Sequence, residues 1–259
     1  MVVKRLKNFI VTDKDRYIKQ SSTIESQEKW YKDGYFIKKD NVGYESIAEY
    51  VVSEFGKCTD LNILKYRLCT INGENSGCYS KNFLKPGEQL ISVKYIVAKQ
   101  MVVFRGMHNY IQDVIAACSD YTGIDKKDIA KYFSDLSQLD AIIFNEDRHF
   151  GNIAFIQCNN GFRLAPIFDN GLSLLSYTLQ YRLDANITDF EHYMTSKMFF
   201  REFMNTVKYF NDIPPIKLNI NKFENINWVR NGRDAELNRA LNTLLYGLRK
   251  SRGVCWYEN

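Results

Sequence analysis

Three polar residues near the middle of the chain have the types and the spacing that metal-assisted group transfer requires. Asp147 is followed five residues later by Asn152, and Asp169 comes after two short apolar runs. Asn159-Asn160-Gly161 separates these runs, and because Asn and Gly tolerate the positive φ angles of a tight turn, the runs are predicted to form a hairpin. In phosphoryl transfer, one carboxylate orients the attacking hydroxyl, while an amide and a second carboxylate hold Mg²⁺ against the phosphates. The pattern therefore predicts phosphoryl-transfer chemistry.

The spacing of these residues can be weighed against a structural explanation. In protein kinases the catalytic Asp and the metal-binding Asn also lie five residues apart, before a second metal-binding Asp. The alternative is a capped end of the apolar helix predicted before residue 144, with Asp147 paired to Arg148 or His149. Any one of these residues alone would more often be structural. Their combination, in this order around a hairpin, favours chemistry.

Two segments resemble a known protein family. Asn-x-Asp-Arg-His-x-x-Asn at 145–152 and Leu-Ala-Pro-Ile-Phe-Asp at 164–169 are similar to the catalytic segment of HipA-type serine/threonine kinases. The resemblance implies an α+β, protein-kinase-like fold that is distantly similar to the phosphoinositide kinases. Such a fold has a small mixed β-sheet lobe with one helix, beside a larger and mostly helical lobe.

The resemblance also implies roles for the motif residues. Asp147 would be the catalytic base, and Asn152 and Asp169 would bind both Mg²⁺ and the nucleotide. His149 would contact the nucleotide phosphates. The implied cofactors are ATP and Mg²⁺, and the implied acceptor is a hydroxyl group of a protein substrate.

The amino-terminal part supplies candidates for holding the nucleotide. Residues 34–39 are predicted to form a strand, and Lys38 within it resembles the kinase lysine that binds the α- and β-phosphates. Residues 44–55 carry apolar residues at helical spacing. In kinases a Glu of this helix orients the lysine, and the family has a Glu at the helix start, which favours Glu45 over Glu49. Taken alone, these are an edge-strand lysine and an acidic first turn that suits the helix dipole.

A phosphate-covering loop and an adenine-binding hinge are implied by the same resemblance. Residues 22–29 are similar to the family's loop, most strongly at Gln27-Glu28-Lys29. Glu25 stands where the family usually has Gly, so either its side chain turns outward or nucleotide binding is weak. Ser22 matches a serine that family members autophosphorylate. The nucleotide contacts implied for the loop and the hinge are Ile24, Glu25, Ser26, Gln27, Glu28, Lys29, Lys81, Asn82 and Phe83.

The remaining pattern predicts how the chain is divided. Residues 1–84 are predicted to form the sheet-rich lobe and residues 85–259 the helical lobe, with a crossover at Pro86-Gly87. Arg182 and Lys197 could face a substrate, but they are interpreted as solvated surface residues. Additional strands are predicted at 8–12, 62–71 and 77–83, and helices at 111–117, 129–139, 195–209 and 234–249.

The bulk composition narrows the class of protein. The chain has 259 residues and a formal net charge of +5, with both signs interspersed, which gives no reason to expect direct nucleic-acid binding. Its six cysteines are scattered and form no C-x-x-C pair, which is typical of a reducing cytoplasm. No apolar run approaches the roughly 18 residues that span a bilayer, so no membrane partner is expected.

Two other functions stay open at this point. Phosphoinositide kinases share the Asp-Arg-His-x-x-Asn pattern, so a lipid head group is an alternative acceptor, although no basic amphipathic membrane element is evident. A non-catalytic nucleotide-binding regulatory module is the second alternative, and Glu25 is the best argument for it. A regulatory protein partner is a further expectation. The family's best-known toxin is larger, with an amino-terminal segment that has no expected counterpart here, so neither a toxin role nor a DNA-bound partner is implied.

Overall fold

The architecture is α+β, as predicted, in a computed structural model that describes residues 6–17, 27–230 and 232–258. The strands are β1 (Lys7–Phe9), β2 (Lys29–Lys32), β3 (Tyr35–Lys39), β4 (Tyr66–Ile71), β5 (Asn75–Lys81), β6 (Gln89–Ser92), β7 (Ala154–Cys158), β8 (Gly161–Leu164), β9 (Ile216–Leu218) and β10 (Trp256–Glu258). The helices are α1 (Glu45–Gly56), α2 (Val93–Lys99), α3 (Met107–Thr122), α4 (Lys126–Ile143), α5 (Phe203–Tyr209), α6 (Ile220–Glu224) and α7 (Asp234–Ser251).

The amino-terminal lobe is built on a five-stranded mixed sheet in the order β1-β4-β5-β3-β2. Strand β1 runs parallel to β4, and the other neighbouring strands are antiparallel. In the β2–β3 pair, Lys29 lies opposite Lys38, so both side chains point to the same face of the sheet. Trp30 and Ile37, one position along, point to the opposite face and belong to a separate small apolar cluster.

Helix α1 packs on β4 and β5 and on α7, so it joins the two lobes. Its apolar residues at the predicted helical spacing, Ile47, Val51 and Phe55 among them, are fully buried. The helix begins where one carboxylate accepts hydrogen bonds from donors of the first turn. Asp40 accepts from the Ser46 backbone N–H at 2.6 Å and from the Ser46 hydroxyl at 2.7 Å. The helix over 44–55 is therefore confirmed.

Helix α4 is the centre of the carboxy-terminal lobe. The apolar stripe that predicted it, at Leu136, Leu139, Ile142 and Ile143, is completely buried. Helix α7 packs so closely on it that a Cβ atom at Gly247 would lie 1.8 Å from the Ile142 carbonyl oxygen. Helix α4 then ends in a left-handed turn, and the motif that contains Asp147 follows directly.

A second sheet has three strands, in the order β6-β7-β8. Its strands β7 and β8 lie between Asn152 and Asp169 in the chain. The predicted hairpin is confirmed as β7 and β8, which pair with Cys158 opposite Gly161. Strand β6 pairs with β7, although the sequence pattern predicted mostly helical structure from this point. The chain passes from β5 to β6 through residues 82–88, so these residues link the two sheets.

The helix predicted over 195–209 is wrong in its first half, because α5 contains only the last seven of those residues. The Thr195 backbone N–H donates to Glu146 Oε1 at 3.0 Å. The Ser196 backbone N–H donates to the Arg201 carbonyl oxygen at 2.8 Å and closes a short loop. In a regular helix a backbone N–H bonds to the carbonyl oxygen four residues earlier, whereas the Ser196 N–H bonds to one five residues later. The helix predicted over 234–249 is confirmed as α7.

No helix within the three described ranges combines the length and the apolar character that are needed to cross a membrane. The six cysteines are all unpaired thiols, and five of them are buried.

Candidate active site

Lys38 reaches from the amino-terminal lobe to the motif residues. From β3, its ammonium group donates to Glu49 Oε1 at 2.5 Å and to Asp169 Oδ1 at 2.7 Å. The same Nζ atom lies 4.9 Å from the centre of the Tyr66 ring. Burial acts to lower the pKa of Lys38, but the carboxylates of Asp169 and Glu49 outweigh it and raise that pKa well above the ordinary value. Lys38 is therefore a fixed positive charge between the lobes.

The acidic partner of Lys38 on α1 is Glu49, and the expectation that Glu45 orients the lysine is wrong. Glu45 lies one turn earlier, where its carboxylate accepts the backbone N–H groups of residues 41–43 at 2.9 to 3.0 Å. Glu45 thus fixes the loop that leads into the helix. Glu49 is completely buried, and its second oxygen accepts the Asn170 backbone N–H at 3.0 Å. One glutamate therefore fixes both Lys38 and the segment that carries Asp169.

Asp169 lies between two lysines of the amino-terminal sheet. Besides Lys38, the Lys29 ammonium lies 3.6 Å from Asp169 Oδ2. Burial acts to raise the pKa of the Asp169 carboxyl, but Lys29, Lys38 and Arg148 outweigh it and hold that pKa well below the ordinary value. The backbone of Asp169 has a φ angle of +59°, a conformation that Asp tolerates better than most residues. This turn aims an ionised carboxylate at the lysines.

Asp147 and Asn152 belong to one tightly hydrogen-bonded turn. The Asn152 side-chain amide Nδ2 donates to the Asp147 carbonyl oxygen at 2.9 Å, and the His149 backbone N–H donates to the same oxygen at 2.8 Å. The Asp147 backbone N–H donates to Asn145 Oδ1 at 3.1 Å. Because Asn152 uses its Nδ2 inside the turn, its Oδ1 is the side-chain atom that can accept or coordinate.

Arg148 holds this turn against the Asp169 segment. Its side chain is completely buried and pairs with Asp140 on α4, with Nη2 3.2 Å from Oδ1. Nη1 donates to the Phe168 carbonyl oxygen at 2.6 Å and to the Asn152 carbonyl oxygen at 3.5 Å, so one guanidinium holds Asn152 and the residue before Asp169. The structural alternative of an Asp147–Arg148 pair is therefore wrong, since Arg148 pairs with Asp140.

His149 lies at the exposed side of the turn. Its Nδ1 accepts the Gly151 backbone N–H at 3.0 Å, and its Nε2 lies 4.0 Å from Asp147 Oδ2. A Cβ atom at Gly151 would lie 2.8 Å from the His149 ring, so the close approach requires glycine. About half of the His149 side chain is exposed, which leaves Nε2 accessible to a ligand.

The structure divides the predicted phosphate loop into separate parts. Ser22, Ile24, Glu25 and Ser26 lie outside the described residues. Lys29 faces Asp169, as described above. The Glu28 side chain points to the other face of the sheet and pairs with Arg16 and Lys39 at 3.0 Å, so its nucleotide contact stays a prediction.

Gln27 is the remaining loop residue within the described part of the chain. Its side-chain Nε2 is buried and has no hydrogen-bond partner there. An unpaired buried amide costs free energy, so this N–H group is suited to donate to an acceptor atom of a ligand.

The predicted hinge residues form the link between the two sheets. Lys81 ends β5 and is exposed, while the Asn82 backbone N–H donates to the Gly34 carbonyl oxygen at 2.9 Å. The Phe83 ring lies 6.2 Å from the ring of Phe168, the residue before Asp169. The predicted hinge is thus packed on the segment that carries Asp169.

The residues present fit Mg²⁺ held between a protein and a nucleotide. Mg²⁺ prefers oxygen ligands, and such sites commonly use one or two protein ligands and complete the shell with phosphates and water. Asn152 Oδ1 and the ionised Asp169 carboxylate supply two oxygens of this type. The described part of the chain contains no group of three or more His, Cys, Asp or Glu residues suited to a metal alone. A metal ion here would therefore depend on the phosphates for its other ligands.

Three contributors to this site were not identified from the sequence. Arg148 and Asn170 form part of the buried network, and Lys197 contacts Asp147 with Nζ 2.8 Å from Oδ1. Lys197 was expected on the solvated surface. No local pattern marks it, because it lies fifty residues after its partner. Asp140 and Arg148 lie eight residues apart, so apolar periodicity alone gave no indication of their pairing.

Comparison with known proteins places this geometry in a known fold. No protein-family model matches the chain, and no curated protein sequence matches it significantly. Among solved structures, the proinflammatory kinase CtkA of Helicobacter pylori is similar over 95% of each chain, with a TM-score of 0.67 and 16% sequence identity. HipA of Shewanella oneidensis MR-1, solved with HipB and operator DNA, gives a TM-score of 0.49 and 13% identity. That match covers 91% of this chain and 55% of HipA. The chain therefore has a protein-kinase-like fold, as its resemblance to HipA-type kinases implied.

Proposed function

We propose that the protein is an ATP-dependent serine/threonine protein kinase of HipA type, which transfers the γ-phosphate of Mg-ATP to a protein hydroxyl. The observation that carries the proposal is the contact of Lys38 with both Glu49 and Asp169. Kinase activity depends on a lysine–glutamate pair of the amino-terminal lobe and on an aspartate that binds metal. Here the three side chains come from β3, α1 and the segment after the hairpin, and they meet at a single ammonium group.

The residues around this point would divide the work as follows. Lys38 and Lys29 bind phosphate oxygens, and Glu49 keeps Lys38 in place. Asp147 orients the acceptor hydroxyl and takes its proton. When Mg²⁺ is bound by Asn152 and Asp169, it neutralises the charge that develops on the phosphoryl group.

Some contacts of the proposal rest on the sequence resemblance alone. These are the adenine contacts of residues 81–83, the loop contacts of residues 24–26, and autophosphorylation of Ser22. A cytoplasmic location, supported by the scattered thiols, and a regulatory protein partner belong to the same group of proposals.

The deciding experiment is phosphoryl transfer from radiolabelled ATP by the purified chain, with added protein substrates and without them. Asp169→Ala should abolish incorporation. Asp212→Ala, at an exposed aspartate after α5, is the matched control and should keep wild-type activity. Thermal unfolding of each variant checks that loss of activity is not loss of fold. Incorporation that is equal in wild type and Asp169→Ala would contradict the proposal.

The same assay separates the two other functions. Binding of Mg-ATP without transfer to any acceptor would identify a non-catalytic nucleotide-binding module. Transfer only to phosphoinositide vesicles would identify a lipid kinase. Phosphopeptide mapping after incubation with ATP tests Ser22, and an unmodified Ser22 would refute autophosphorylation at that position.

A further inference from the structure

Asp147, the proposed catalytic base, is held by a lysine from a distant part of the chain. Lys197 donates from Nζ to Asp147 Oδ1 at 2.8 Å. About half of the Lys197 side chain is exposed. An ammonium group has three N–H donors, so two remain for groups that approach from solvent.

Lys197 belongs to an irregular segment, residues 194–200, that is anchored on both sides of the lysine. On one side, Glu146 accepts the Thr195 backbone N–H at 3.0 Å. On the other side, Met198 is buried in the main core, and the Phe199 ring packs edge-on against Phe150 with centres 5.4 Å apart. Two neighbouring carboxylates of the motif therefore hold this segment. Glu146 accepts from the Thr195 backbone, and Asp147 accepts from the Lys197 side chain.

The anchoring fixes the backbone from which the Lys197 side chain extends. A surface lysine loses side-chain entropy when it forms an ion pair, so most such pairs contribute little to stability. Here the backbone on either side of Lys197 is already fixed by Glu146 and by the buried Met198. The pair with Asp147 therefore has a lower entropic cost than an ordinary exposed pair.

The other cations near the motif are committed elsewhere. Arg148 follows Asp147 in the chain, but it is completely buried and bonded to Asp140 and the Phe168 carbonyl oxygen. Lys38 and Lys29 both lie at Asp169. Within the part of the chain that the structure describes, Lys197 is thus the Lys or Arg residue that forms an ion pair with Asp147.

We propose that Lys197 is a positioning residue for Asp147, and that it supplies the positive charge beside the acceptor hydroxyl; this inference rests on the proposed kinase function. In the reaction, the acceptor oxygen forms a bond to the γ-phosphorus while the bond from that phosphorus to the bridging oxygen breaks, and ADP leaves. The hydroxyl proton moves to Asp147. Lys197 keeps one carboxylate oxygen engaged, so that the other oxygen, Oδ2, faces the hydroxyl.

The test compares Lys197→Met, which keeps the length of the side chain, with Lys197→Arg, which keeps the charge. Lys208→Met, at an exposed lysine of α5, is the matched control. We expect Lys197→Met to lower kcat by about 10²-fold, the usual cost of losing one positioned electrostatic contact. The KM for ATP and the melting temperature should stay near wild-type values, because Lys197 contacts neither Lys38 nor Asp169. Lys197→Arg should keep most of the wild-type activity.

The outcomes separate this inference from the proposed function. If wild type transfers phosphate and Asp169→Ala does not, while Lys197→Met keeps wild-type kcat, the role of Lys197 is refuted and the kinase function stands. A change in the KM for ATP with unchanged kcat would also refute it, since that would indicate nucleotide binding. Equal losses in Lys197→Met and Lys197→Arg together with a lowered melting temperature would indicate only a structural role. If wild type transfers no phosphate, both proposals fail.

Discussion

Replacing Glu49 with Gln removes the charge that fixes Lys38 without changing the size of the side chain. Glu49 is completely buried, and its two oxygens accept from the Lys38 ammonium at 2.5 Å and from the Asn170 backbone N–H at 3.0 Å. A glutamine has one oxygen and one NH₂ group, so one of the two donors must face another donor.

The size of the effect follows from what remains around Lys38. Breaking a buried ion pair by removing one partner commonly costs 3–5 kcal/mol. Lys38 keeps its contact with Asp169, so we expect Glu49→Gln to lower the free energy of unfolding by about 3 kcal/mol, at the lower end of that range. Turnover should fall by about 10²-fold, because Lys38 no longer has a single position beneath the phosphates.

Glu45→Gln is the matched control, because it makes the same chemical change one turn away on the same helix. Its carboxylate only accepts from the loop N–H groups of residues 41–43, so we expect a loss of about 1 kcal/mol in stability and little change in turnover. Urea unfolding and the radiolabelled-ATP assay measure the two quantities. A larger loss of turnover in Glu45→Gln than in Glu49→Gln would refute the assignment.

A double mutant tests whether Glu49 acts through Lys38. In a Lys38→Met background, Glu49→Gln should cause little further loss of turnover, because the residue it positions is already absent. Additive losses would show that Glu49 acts on turnover by another route, such as its contact with Asn170.

Three other changes have defined expected results. Asp147→Asn should lower kcat by at least about 10²-fold while nucleotide affinity, measured by fluorescence titration, changes little; ATP turnover that survives would contradict its role as base. Gly151→Ala places a Cβ atom 2.8 Å from the His149 ring, so His149 should turn away and lose its bond from the residue 151 N–H, and stability should fall by about 1 kcal/mol in urea unfolding. An unchanged stability would show that this bond contributes nothing. Because the folded-state pKa of Asp169 is lowered, the stability it contributes is present above the unfolded-state pKa of about 3.9 and is lost as pH falls further. The difference in unfolding free energy between wild type and Asp169→Asn should thus be constant from pH 8 to 5 and shrink below about pH 4; shrinkage already at pH 6 would contradict the cause assigned to the shift.

The sequence was sufficient where a feature depends on residues that are close in the chain. The apolar stripe of α4 and the β7–β8 hairpin both involve contacts over short separations. Helical periodicity and the turn preference of Asn-Gly act at this range, so the residue types determine them.

The choice between Glu45 and Glu49 shows where local information ends. Residues four apart on a helix project from the same face, so both glutamates are compatible with the predicted amphipathic pattern. Which of them meets Lys38 depends on how far α1 slides along the sheet. The packing of α1 against β4, β5 and α7 sets that position, and residues far apart in the sequence contribute to it.

The sequence by itself predicted the kinase-like fold through its resemblance, the helices α1, α4 and α7, and the β7–β8 hairpin. Tertiary structure alone decided that Arg148 pairs with Asp140, that residues 195–202 are not helical, and that Lys197 meets Asp147. Each of these depends on burial or on contacts between distant segments. The free energy of a buried charge depends on how far water is excluded from its site and on which partner reaches it. Neither property follows from residue type or spacing.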